Sequence, residues 1–299
     1  MHEVRCGMYA VGFFDLLGQS NALREHISIR EDAQHLASLR EALTKAARQL
    51  HYFRQDITQY FYAAKSESLL ANAPAGISDH LRRVAADYDS PQIKVQSFSD
   101  TVIAFVPLAT PAGKVSLSGV TQLLLSVAST MLMSFSRGVA VRGAIDVGWG
   151  MEPFEGEIYG PALLSAYELE CKKADWSRIV LGTGIQSLWQ VMQLCPINDP
   201  IDLCNATFAA MLQNLSFQDC DGVLAIDYLG KDTVEALGVS PGELKQLIVA
   251  AHIQLDRLTQ SFSGTTKIQA KYKGALDYFE SRRGLLTDQD RLEADRNHC

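Results

Sequence analysis

The feature that most constrains this chain is a short apolar run ending on a single acid. Tyr9-Ala10-Val11-Gly12-Phe13-Phe14 delivers Asp15 and then breaks at Gly18-Gln19-Ser20. An apolar run closed by a Gly-containing turn predicts a buried strand, roughly Met8–Leu16. A second stretch, Ser97-Phe98-Ser99-Asp100-Thr101-Val102-Ile103-Ala104-Phe105, again sets one Asp between two apolar half-strands. It predicts a hairpin, Ile93–Phe98 and Thr101–Val106, with Ser99-Asp100 at its tip. Each Asp taken alone is a common turn or cap residue. If the first strand lies beside the hairpin, the two carboxylates converge. Two carboxylates bridging two divalent ions are the usual apparatus of phosphoryl and nucleotidyl transfer. The Gly18-Gln19-Ser20 turn, leading towards a helix, would then offer backbone N–H groups to phosphate.

Around these strands the periodicity predicts helices at Ile29–Ser68, Ser116–Ser136 and Pro161–Lys173, and further strands at Val139–Trp149 and Ser177–Gly182. From Thr183 to Thr266 the pattern is mostly helical, with a strand at Asp221–Leu229. The chain has 299 residues and no internal repeat. It reads as one elaborated α+β domain over 1–280, with 183–266 as a helical elaboration and 281–299 as a charged tail.

Net charge decides what kind of ligand such a domain can hold. At −7 there is no global basic field for nucleic acid, so a polyphosphate needs metal ions or a few placed cations. The six cysteines have neither CxxC nor zinc-finger spacing, which suggests free thiols in a reducing compartment. The most apolar stretch, Val115–Phe135, carries too many serines for a membrane span and fits a buried helix. With no basic-then-apolar N-terminal segment, the expectation is a soluble cytoplasmic protein.

Three more constellations could carry chemistry. Arg142 stands alone in the apolar run Val139–Gly148, which is expensive without an anionic partner. A phosphate would serve, and so would Asp146 in the same run. Glu157 precedes the Gly160-Pro161 helix start, where a carboxylate also favours the helix dipole. Lys271 and Lys273 flank Tyr272, as a solvated face or as a reach towards a triphosphate.

In this order the pieces resemble a family. FFDLLGQ is similar to the first-strand FxDIxGF motif of class III nucleotide cyclases, and SFSDTVIAF to their second-metal GD hairpin. VRGAIDVG resembles the RVGIxxG strand, EIYGPALLSAYELE the DxWGxxVNxAxRME segment, and KYKGALDYF the late KGKGxxxTYF strand. The resemblance implies a ferredoxin-like α+β palm and a head-to-tail homodimer with active sites at the interface. It implies two divalent ions, Mn²⁺ or Mg²⁺, on Asp15, Asp100 and the Leu16 carbonyl. Gly18, Gln19, Ser20 and Arg142 would hold phosphate, with Lys271 reaching over from the partner subunit. Gln96 and Glu157 fall where the family reads the base. Two positions depart: the family's transition-state Asn and Arg fall on Leu164 and Glu168, with Arg178 and Lys273 as candidate substitutes. That combination resembles the bacterial pyrimidine cyclases of Pycsar anti-phage defence. It implies conversion of UTP, or less readily CTP, to a cyclic nucleotide that switches on a downstream effector. The competing expectation is a degenerate cyclase fold serving as a regulatory or nucleotide-binding module. A diguanylate-cyclase-like palm enzyme is a third, and the sequence has no GGDEF-like run.

Overall fold

Alternation along the first strand sets the architecture. In the computed structural model, which describes residues 5–19, 26, 32–64, 91–110, 113–262 and 269–282, strand β1 is Arg5–Leu16. Its Ala10, Phe14 and Leu16 side chains enter one core, while Tyr9 and Val11 enter another on the opposite face. On the first face lie helix α1 (Ala33–Ala63) and helix α2 (Ser118–Ser136). Helix α2 is long and apolar enough to cross a membrane, but 89% of its apolar window is buried inside the fold. It is the centre of the protein, as its serine-rich sequence predicts.

The hairpin forms where expected, as β2 (Lys94–Phe98) and β3 (Thr101–Pro107). β3 pairs antiparallel with β1, which pairs antiparallel with β4 (Val141–Phe154). The order β2-β3-β1-β4 with α1 and α2 as crossovers is a ferredoxin-like βαββαβ palm, the expected α+β fold. β4 runs past the predicted Trp149 and folds back at Glu155-Gly156 into β5 (Glu157–Tyr159). Helix α3 (Pro161–Lys173) has the predicted bounds and covers the second face of the sheet through Ala162, Ala166 and Leu163.

The chain then widens the sheet. β6 (Ile179–Leu181) lies parallel to β4, and a hairpin of β7 (Ser216–Gln218) and β8 (Leu224–Ile226) continues the order as β6-β8-β7. Helices α4 (Thr183–Leu194), α5 (Pro200–Asn214), α6 (Lys231–Leu237) and α7 (Pro241–Ser261) surround it. The last segment corrects the sequence reading. Residues 269–282 form a helix, α8, not a strand. Tyr272, Ala275, Tyr278 and Phe279 are buried at helical spacing. Gly274 lets α8 approach the sheet, because a Cβ there would stand 2.6 Å from Trp176 Cγ.

The hairpin tip is strained. Ser99 has φ 57°, the only non-glycine residue with positive φ among the described residues. An L-residue there costs about 1–2 kcal/mol, part of which glycine gives back through the entropy of the unfolded chain. Ser99→Gly is therefore expected to raise stability by about 0.5–1 kcal/mol in chemical denaturation. An unchanged midpoint would mean that the turn is not strained.

Candidate active site

The strand register brings the two acids together. Asp15 is paired with Thr101 on one side and Arg142 on the other. Leu16 N–H donates to the Asp100 carbonyl at 3.1 Å, so the end of β1 is tied to the hairpin tip. Both acidic side chains are partly exposed. The donors on offer are carboxylate and carbonyl oxygens, the chemistry that suits Mg²⁺ or Mn²⁺. The described residues contain no group of three or more His, Cys, Asp or Glu placed to hold a metal.

Arg142 finds its anionic partners inside the chain, but not in Asp146. Its Nε donates to Asp15 Oδ2 at 2.9 Å, and its Nη1 points to the Ala174 carbonyl at 3.4 Å. Its Nη2 stands 2.8 Å from Glu170 Oε1, a charge contact rather than an aligned hydrogen bond. Glu170 lies on α3 and is 2% exposed. Burial pushes its carboxyl above the ordinary value; Arg142 and Lys271 pull it back, while Asp15 adds to the push. Sequence reasoning passed over Glu170, although it closes the quoted EIYGPALLSAYELE stretch.

Asp146 has other work. It is buried and accepts from Val147 N–H at 2.8 Å, Ile185 N–H at 3.2 Å and Ser165 Oγ at 2.5 Å. It thereby satisfies the first turn of α4. Gly182 and Gly184 make room for this: a Cβ on Gly184 would fall onto the Val147 carbonyl oxygen. Gly184→Ala is expected to cost at least about 2 kcal/mol, because backbone cannot give way as a side chain can. A thermal melt within 1–2 °C of wild type would contradict this packing.

The turn after β1 contributes Gly18, at φ +92°, and Gln19. Gln19 is 6% exposed and its Nε2 has no hydrogen-bond partner among the described residues. Ser20 lies outside the described residues. Tyr272 of α8 closes the turn from above: its hydroxyl would be 3.4 Å from a Cβ on Gly18. Burial, and then the Asp15 charge, push the Tyr272 hydroxyl up to about 12.

Lys271 is also on α8. Its carbonyl accepts from Ser177 N–H at 3.2 Å, and its charge bears on Glu170 of the same chain. Within one subunit it is thus near Glu170. Lys273 is exposed on the same helix. Arg178 is 1% exposed and both its terminal nitrogens are engaged, by Asp219, by Asp221 at 2.5 Å and by the Lys173 carbonyl at 2.7 Å. It is not available as a substitute cation.

The two base-reading candidates meet at the β2 edge of the sheet, where the register lines Gln96 and Ile103 up with Phe13, two residues before Asp15. Gln96 is paired with Ile103, and its Oε1 accepts from Ile158 N–H at 3.2 Å, next to exposed Glu157 on β5. Nearby is an open groove of about 730 Å³, lined by Phe13, Ile103, Tyr159, Leu163, Leu164 and Tyr167. Leu164 is 56% exposed in its wall. Glu168 is paired with Lys172 at 2.6 Å.

No family model matches the sequence, and no curated protein matches it. Several solved structures are similar at low identity, among them the following. The catalytic core of a rhodopsin-guanylyl cyclase with converted specificity, in complex with ATPαS, is 12% identical over 61% of this chain and 81% of that one, with a TM-score of 0.31. A class III adenylyl cyclase-like ATP-binding protein from Pseudomonas aeruginosa is 13% identical over 79% of this chain and 41% of that one, with a TM-score of 0.40. The monomeric guanylyl cyclase domain of the RhoGC fusion protein from the aquatic fungus Blastocladiella emersonii is 11% identical over 75% of this chain and 98% of that one, with a TM-score of 0.32. At this level of similarity none of them decides the activity, substrate or assembly of this chain.

Proposed function

We propose that the chain is a metal-dependent nucleotide cyclase that converts UTP, in preference to CTP, to the 3′,5′-cyclic monophosphate and pyrophosphate. The observation that carries this reading is the convergence of Asp15 and Asp100 at the end of β1, with Arg142 across the strand. Asp15, Asp100 and the Leu16 carbonyl would hold divalent ions, which supply a lowered pKa for the ribose 3′-hydroxyl and charge neutralisation at the triphosphate. Arg142, Lys271 and the Gly18-Gln19 amides would hold the leaving pyrophosphate, where negative charge accumulates. The Gln19 side-chain amide, without a partner among the described residues, would be a further donor there.

Gln96 and Glu157 support a pyrimidine. Gln96 has already used its carbonyl on Ile158, which leaves its NH₂ as a donor. A carboxylate at Glu157 accepts from uracil N3–H or from the cytosine amino group. The apolar wall of Tyr159, Leu164 and Tyr167 is all exposed in one subunit and supports a homodimer that covers it. On this reading the product is a second messenger for a separate effector in antiviral defence.

A second reading has its own observation. Where a transition-state Asn and Arg would act, this chain has Leu164 in an apolar wall and Glu168 paired to Lys172. A protein that binds a nucleotide without turning it over would look the same there. Incubation with each of the four NTPs and Mn²⁺, with product identified by mass spectrometry, separates the two. Cyclic UMP is the expected product; binding of an NTP with no pyrophosphate released supports the second reading and overturns the first.

A further inference from the structure

We propose that Glu170 sets how tightly Asp15 takes a divalent cation, by keeping hold of Arg142 when the cation displaces it from Asp15. The proposal rests on the reading of Asp15 as a metal ligand. The β1–β4 register places Arg142 directly opposite Asp15. Its Nε–H lies 2.9 Å from Asp15 Oδ2, so a guanidinium and an incoming cation compete for the same oxygen. Two positive charges within a few ångströms repel strongly in a partly buried setting. Arg142 must yield when the ion arrives.

Where it yields to is built into α3. Nη2 is 2.8 Å from Glu170 Oε1, and Nη1 is 3.4 Å from the carbonyl of Ala174, the residue that caps the C-terminus of α3. A helix C-terminus carries partial negative charge and favours a cation. Glu170 is 2% exposed, so water cannot stand in for Arg142 as its partner. Glu170 is engaged by Arg142. It acts through Arg142, as a positioning residue. With the ion on Asp15, Arg142 remains tethered to Glu170 and Ala174, and its Nε–H is freed for a phosphate oxygen. Without the Glu170 charge, Asp15 is the one carboxylate left to Arg142 among these partners, and the ion must displace it outright.

The test is a double-mutant cycle in Mn²⁺ affinity, read by titration calorimetry on the full chain without nucleotide. Glu170→Gln keeps the side-chain volume and is expected to weaken Mn²⁺ binding about tenfold. Arg142→Gln is expected to tighten it about tenfold. In the Arg142→Gln background, Glu170→Gln should change the affinity less than twofold, because the residue through which it acts is gone. Equal weakening in both backgrounds would show a direct charge effect and overturn the proposal, as would an Arg142→Gln protein that binds no tighter. If Arg142→Gln alone does not fold, having stranded Glu170, the double variant decides. It should bind about 100-fold tighter than Glu170→Gln, and a gain of tenfold or less overturns the proposal. A wild-type protein that takes up no Mn²⁺, or an Asp15→Asn protein that takes it up equally well, sinks the metal reading itself and this proposal with it.

Discussion

Asp15→Asn and Asp100→Asn are each expected to lower cyclase turnover by about 10³-fold or more while leaving the fold intact. Each variant removes a negative charge from a partly exposed position and keeps the side-chain shape, so the packing around β1 is not disturbed. The loss is that of a metal-held charge-neutralising group, worth several kcal/mol in the transition state, of which about 4 kcal/mol is already 10³-fold. Asp15→Asn also removes the carboxylate that Arg142 Nε contacts at 2.9 Å, so Arg142 is left with Glu170. The assay is product formation at saturating Mn²⁺ and UTP, with far-UV circular dichroism as the control for folding. Turnover that survives either substitution within tenfold would remove that carboxylate from the mechanism.

The same variants locate the site in the assembly. In a head-to-tail dimer, Asp15 of one copy would work with Glu157 of the other. Asp15→Asn and Glu157→Ala proteins, each inactive, would then complement on mixing. Half of the dimers are mixed and each carries one intact site, so about a quarter of wild-type activity returns. If the site lies within one chain, none returns. This experiment therefore assigns Asp15 and Glu157 to one subunit or to two.

The palm was legible where local pattern and tertiary role agree. β1, the β2–β3 hairpin, α2 and α3 each carry a period, a turn signal or a proline start that their final environment rewards. α8 was not read, because KYKGALDYF was judged by its likeness to a strand motif. Its own spacing, with Tyr272, Ala275 and Tyr278–Phe279 on one side, is helical and was there to be counted. β7, Ser216–Gln218, is too short to leave a period at all. In the site, the two acids were legible because each interrupts an apolar strand. The partners of Arg142 were not, because they depend on a strand register and a helix placement that no local window contains. Asp146 was the nearest acid in sequence, yet residues set far apart in the chain supplied the pairs.

Arg178 shows the cost of the same blindness, and its removal should have the largest effect on stability. Seen in sequence it was one cation on a short strand. In the structure its guanidinium pins the β7–β8 turn to the palm through Asp219 and Asp221, lies 5.4 Å from the centre of the Trp176 ring and donates to the end of α3. Arg178→Ala leaves Asp219 largely buried without its charge partner. Breaking such a pair costs about 3–5 kcal/mol; the lower end applies because Asp221 is 41% exposed and water can take over there. For a chain of this size that is a fall of roughly 6–12 °C in the melting temperature. Arg178→Lys should not restore it, since an ammonium cannot serve two carboxylates and a carbonyl with one planar fork. Arg178→Met combined with Asp219→Asn should recover part of the loss, because the more buried of the two stranded carboxylates is then gone. The pH dependence has a definite sign. Arg178 holds the Asp221 carboxyl below its ordinary value. The stability from this pair is therefore fully present above the unfolded Asp pKa of about 3.9 and is lost as pH falls through the lower folded value. In the Arg178→Ala protein that acid-dependent component should shrink. A wild-type-like melting temperature in Arg178→Ala, or an unchanged acid limb, would show that the turn is held by its packing and not by this pair.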